Sequence, residues 1–144
     1  IIRDFNSDLI EGKCYIPKSS LEHLNFDSYK LLNHHENQIG LALSELLPLA
    51  TKYYVRAATY IMLIPKSLPR LRLAALWPFL IGVETLNKLA SNKNQHDLKT
   101  PIKVKRKWIY IMITKSLFLI HNDKTLKFIL NRQIQKLYYR VSNL

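Results

Sequence analysis

Asp4 and Asp8 stand four residues apart near the start of the chain, where Ile1, Ile2, Phe5 and Leu9 recur at helical spacing. On a helix that spacing puts both carboxylates on one face, about 6 Å apart along the axis. Such a pair repels by roughly 0.7 kcal/mol in water and by about 3 kcal/mol at an effective dielectric of 20. A cation offsets the repulsion. Mg²⁺ suits, because it takes one or two carboxylates, keeps several waters and bridges to phosphates. Two solvated acids on an exposed helix are the plain alternative.

The second constellation is Lys103-Val104-Lys105-Arg106-Lys107, inside a stretch from Lys99 to Asn122 that holds six bases and no acid. With a helix opening at Pro101, Lys103 and Lys107 share one face and Arg106 lies beside it. Cations at a helix N-terminus oppose the dipole, so the segment makes electrostatic sense with a bound phosphate or nucleic-acid backbone. A solvated basic surface is the alternative. His34 and His35 are adjacent and point to different sides, which makes them a poor chelating pair. Cys14 has no partner thiol and reads as a small apolar filler. No Ser/His/Asp order, GxSxG or Walker motif is present.

The elements that must carry these residues read as helices. Gly12 falls where a C-cap glycine ends the first one. Ser19 and Ser20 can cap a short helix from Leu21 to Leu24. A long amphipathic helix spans about Glu36 to Leu63, with a kink or break expected at Pro48. A second runs from about Arg70 to Ala90, apolar on most sides, which is the pattern of a buried central helix. After the polar stretch SNKNQHDLK come a helix from Pro101 and a last one capped near Asn122 and Asp123. No strand period and no repeat stands out. The expected fold class is all-α, with about five helices whose apolar faces expect further neighbours.

With 144 residues the chain is one domain or part of one. Hydrophobic residues at 48% and charged residues at 22% argue against disorder. One cysteine rules out an internal disulfide and a multi-thiolate zinc site. Three glycines leave little room for phosphate loops. No apolar run reaches the roughly 18 residues that span a bilayer. Charge is uneven: residues 1–50 hold seven acids and four bases, net −3, and residues 51–144 hold three acids and eighteen bases, net +15. A basic body implies an anionic partner, which nucleic acid, a membrane surface or a phosphorylated small molecule satisfies.

Ile1-Ile2-Arg3-Asp4-Phe5-Asn6-Ser7-Asp8, followed by Gly12-Lys13-Cys14-Tyr15-Ile16-Pro17, resembles the second aspartate-rich motif of the squalene/phytoene synthase family. That motif reads Asn-x-x-x-Asp-x-x-x-Asp and precedes a Gly-Arg-x-Tyr/Phe-x-Pro element. The chain begins just after the place of the Asn, and Lys13 stands for the usual Arg. The IIRD form is closer to the squalene synthases of the family than to its phytoene synthases. Leu73 to Leu86 (LAALWPFLIGVETL) resembles the pocket-lining penultimate helix, and Lys103–Lys107 the basic segment that follows it.

The resemblance implies that residues 1–144 are the C-terminal part of a single all-α isoprenoid synthase domain, whose N-terminal half carries the first aspartate-rich motif. It implies head-to-head joining of two farnesyl diphosphates through presqualene diphosphate, and reduction to squalene with NADPH. This chain alone would be an incomplete catalyst. Asp4 and Asp8 would hold Mg²⁺. Arg3, Lys103 and Lys105 would meet the phosphates of NADPH. Ala74, Leu76, Trp77, Pro78 and Ile81 would line the substrate pocket, where aromatic rings shield carbocations. The expected partners are farnesyl diphosphate, the N-terminal half of the same enzyme and an anionic membrane surface, with a cytoplasmic, peripheral location. A phytoene or dehydrosqualene synthase working without NADPH is the alternative inside the family. A basic helical module for nucleic acid is the alternative outside it. Nucleic acid is not the expected partner, because Asp4 and Asp8 have no task there and Leu73 to Val83 is too apolar for a surface module.

Overall fold

A computed structural model describes residues 4–16, 36–91 and 103–143, with the side chains of 5, 6, 9 and 36–44 outside the description. All the regular structure in these residues is α-helical: α1 (Phe5–Ile10), α2 (Glu36–Leu63), α3 (Pro69–Ser91), α4 (Arg106–Leu119) and α5 (Asp123–Val141). The expected all-α class is what forms. The short helix expected at Leu21–Leu24, the pair His34–His35 and the polar stretch after Ser91 lie outside the described residues.

Local chemistry sets most helix ends. α1 stops at Gly12, whose φ of +75° is the left-handed C′ conformation. The Lys13 N–H then closes onto the Asp8 carbonyl at 2.7 Å, a Schellman-type bond. Pro69 occupies the first position of α3, where its fixed φ helps and its missing N–H is harmless. α5 begins at Asn122, whose side-chain oxygen accepts the Thr125 N–H at 3.1 Å. Two expectations are corrected. The break expected at Pro48 does not form: α2 continues through it as helix. α4 begins at Arg106 and not at Pro101, with Lys105 extended at φ −64°, ψ 133°. Lys103 and Lys105 therefore lie on non-helical backbone before the helix, and Lys103 shares no helical face with Lys107.

α3 is the central element. Leu73, Leu76, Phe79, Leu80, Val83 and Leu86 are buried along it, against Leu47, Ala58 and Ile61 of α2 and Leu126, Leu130, Ile134 and Leu137 of α5. Burial of apolar area at about 25 cal/mol per Å² makes this three-helix contact the main stabilising term. α4 buries less, with only Met112 and Ser116 inside. It is fastened to α3 by three bonds, all donated from α3 or its side chains. Lys88 Nζ reaches the Lys103 carbonyl at 2.8 Å, Trp77 Nε1 the Ser116 Oγ at 2.8 Å, and Arg72 the Ile120 carbonyl at 2.9 Å. Arg72, 2% exposed, also pairs with Asp123 at 2.7 Å. No helix among the described residues is long and apolar enough to cross a membrane.

Candidate functional site

Positions 74, 77, 78, 81, 82 and 85 of α3 recur at three and four residues, so they form one face of the helix. That face, with Ala50 and Tyr54 of α2, lines an open cavity of about 820 Å³. Asp4, at the entry to α1, is part of the same wall. The structure thus brings together Asp4, Ala74, Trp77, Pro78 and Ile81, which the sequence joins only by resemblance. Leu76 is placed differently. It is two positions from Ala74 and so about 200° around the helix. It is buried on the reverse face, beside a second, smaller cavity.

The wall is apolar with few polar atoms. The Thr85 hydroxyl is spent on the Ile81 carbonyl at 2.8 Å, and that of buried Thr51 on the Leu47 carbonyl at 2.8 Å. Trp77 is held by its bond to Ser116, which fixes the indole in the wall. The titratable residues in the wall are Asp4 and Tyr54. Burial pushes the Tyr54 phenol above its ordinary pKa, so it stays a neutral donor at physiological pH. Its ring tilts against Phe79 with centroids 5.5 Å apart. Its hydroxyl end closes on Gly82, where a Cβ would fall 1.8 Å from the oxygen. Only glycine permits that approach.

Asp8 lies one turn after Asp4, half-buried, and its N–H bonds the Asp4 carbonyl at 2.9 Å. It is not among the residues lining the cavity. No group of three or more His, Cys, Asp or Glu is placed to hold a metal among the described residues. Two carboxylates from one helix turn are within what Mg²⁺ requires, because that ion keeps waters and takes phosphate oxygens. Lys103 and Lys105 are exposed, on the non-helical lead into α4, and Lys88 ties that lead to the end of α3. Arg3 lies outside the described residues. Cys14 packs half-buried against the core, as a filler does.

Sequence reasoning missed Ala50 and Gly82 as cavity residues. Ala50 and Tyr54 are four apart on the apolar face of α2, which is the signal they carried. Nothing local marked Gly82 as the position that admits the phenol.

No curated protein and no solved structure matches the chain. The family model for squalene/phytoene synthases matches residues 1–108. That stretch contains every residue lining the large cavity, from Asp4 to Leu86. Joined to the all-α architecture, the match means that this chain belongs to the squalene/phytoene synthase family, whose enzymes are prenyltransferases that condense isoprenoids head to head.

Proposed function

We propose that the large cavity receives the isoprenoid chains of farnesyl diphosphate, and that the active enzyme is of the squalene synthase type. One observation carries the reading: an aspartate of the matched motif, Asp4, stands in the wall of the same apolar cavity as Ala74, Trp77, Pro78 and Ile81. A ligand with a greasy tail and a diphosphate head needs that combination. The tail is bound by burial, and the head by charge at one edge.

Asp4 and Asp8 are the residues that would hold Mg²⁺. Bound there, the ion would neutralise charge on a leaving diphosphate. Asp4 orients the head group at the cavity edge. The aromatic rings of Trp77 and Tyr54, both in the wall, would stabilise positive charge and keep water off it. The partner in this reading is the N-terminal half of the same enzyme, supplying the first aspartate-rich motif. Lys103 and Lys105, with Arg3, would contact NADPH phosphates. Support for this is the charge of the lead into α4, which no acid neutralises among the described residues, together with the free N–H groups of the first turn that follows. The same +15 region favours peripheral association with an anionic, cytoplasmic membrane face. A phytoene or dehydrosqualene synthase that needs no reductant is the second reading, since the cavity suits either.

The test is kinetic, on the enzyme with both halves. Asp4→Asn and Asp8→Asn should each slow consumption of farnesyl diphosphate on the order of 10²-fold. Lys103→Ala with Lys105→Ala should raise the KM for NADPH and let presqualene diphosphate accumulate while the first condensation continues. Near-normal turnover in Asp8→Asn removes the metal assignment. Equal loss in both half-reactions, or in neither, removes the NADPH assignment.

A further inference from the structure

The smaller cavity lies on the reverse face of α3, between α4 and α5, with a volume of about 290 Å³. Leu76 and Leu80 form its floor, and Trp108, Met112 and Ile129 are among its apolar walls. Protein interiors leave few voids larger than a water, and apolar cavities of about 150 Å³ stay dry and accept apolar guests. A space of this size is at the small end of ligand sites and has room for a single aliphatic chain.

Its polar groups narrow the ligand further. The Ser116 hydroxyl is already engaged, donating to the Ile113 carbonyl at 2.7 Å and accepting from Trp77 at 2.8 Å. Lys115 and Gln133, also in the wall, make no ion pair or hydrogen bond among the described residues. No acid lines the cavity. α4 contains none, and Asp123, the acid that opens α5, is held by Arg72. Among the described residues, therefore, no acid stands beside Lys115 to neutralise its charge.

We propose that this cavity is a second binding site, which takes a single-chain amphiphile with an anionic head. The chain enters between α4 and α5 over Leu76 and Leu80. The head stays at the rim, with Lys115 as counter-ion and the Gln133 amide as donor. The site is separated from the large cavity by the thickness of α3 and does not depend on the reaction proposed above.

The experiment uses the 144-residue chain and three probes, the two ionic ones below their micelle concentrations and the alcohol below its solubility limit: dodecyl phosphate, dodecyltrimethylammonium and dodecanol. Affinity is read by calorimetry, and location by Trp108 emission in a Trp77→Phe background, which leaves Trp108 as the sole tryptophan. Dodecyl phosphate should bind saturably, shift Trp108 emission, and bind about fivefold tighter than dodecanol, the size of one exposed charge interaction. The cationic probe should bind weakest. Lys115→Ala, a change at an exposed position, should abolish the difference between the phosphate and the alcohol. Ile129→Phe should fill the cavity and lower the affinity for both. The proposal is overturned if the phosphate binds no tighter than the cation, if Trp108 does not respond, or if both variants bind as the parent does. Uptake that begins only at the micelle concentration overturns it equally.

Discussion

Replacing Gly82 by alanine inserts one methyl group into the contact between α3 and Tyr54. The added Cβ would lie 1.8 Å from the Tyr54 oxygen, 2.8 Å from Cζ and 3.2 Å from Cε1, where carbons ordinarily sit about 3.5–4.0 Å apart. Tyr54 cannot simply bend its tip away, because the ring is rigid and leans on Phe79, itself 4% exposed. The overpacking should cost about 1–3 kcal/mol. Against it stands the helix preference of alanine over glycine, about 1 kcal/mol. The net expectation is a loss of about 1 kcal/mol, or about 3 °C in Tm for a chain of this length. With Tyr54→Leu the obstructing ring is gone, so Gly82→Ala should then stabilise by up to about 1 kcal/mol. The four proteins of that cycle, unfolded in urea and followed by circular dichroism, should show a coupling of about 1–3 kcal/mol. If Gly82→Ala stabilises both backgrounds alike, the phenol yields freely into the open cavity and the reasoning fails.

Asp123→Ala leaves the buried Arg72 guanidinium with the Ile120 carbonyl as its partner and should cost about 3 kcal/mol in urea unfolding. Arg72→Met removes the charge and keeps the volume, so it should cost less, about 1 kcal/mol; a larger loss from Arg72→Met would contradict the account. The raised Tyr54 pKa means that folding protects the neutral phenol. Stability from this group is complete below the unfolded value near 10 and is lost as pH rises from there through the folded pKa. Tyr54→Phe should flatten that alkaline decline in a pH series of thermal melts, and an unchanged slope would argue otherwise. Ala74→Phe, at an exposed position on the cavity wall, should alter stability by no more than about 0.5 kcal/mol. It should nevertheless reduce turnover of farnesyl diphosphate in the enzyme with both halves. Unchanged turnover would make Ala74 ordinary surface.

The helices were legible because their signals are local. Period 3.6 along Arg70–Ala90 gave α3 within a residue at either end, and Gly12 and Asn122 announced their caps. The start of α4 was not legible. Pro101 is a good first helical residue, but the extended backbone at Lys105, fixed partly by the long-range bond from Lys88 to Lys103, moves the start to Arg106. The burial of Arg72 was hidden for a similar reason, because its partners Ile120 and Asp123 are about fifty residues away in sequence. At the site, Ala74, Trp77, Pro78 and Ile81 were grouped by the resemblance of Leu73–Leu86 to a pocket-lining helix, and they do fall on one face of α3. Leu76 was included with them by nearness in sequence, although its angle around the helix places it behind. The approach of Tyr54 to Gly82 depends on how two helices pack, which no local pattern encodes.

The three bonds that fasten α4 to α3 give the chain a mechanical seam. They are spaced from Arg72 to Lys88 on one side and from Ile120 back to Lys103 on the other, in antiparallel order. Beside the contacts of Met112, Trp108, Ile109 and Ile113 with the core, α4 is held by these polar clasps, each contributing about 1 kcal/mol net. Clasps of that strength part together or not at all, since losing one lets water reach the next. The amides of α4 should therefore exchange with solvent as one cooperative unit, through an opening that leaves α2, α3 and α5 closed. Each such opening also frees the Trp77 indole, so the rigidity of the large cavity's wall is set by the lifetime of a seam on the far side of the helix.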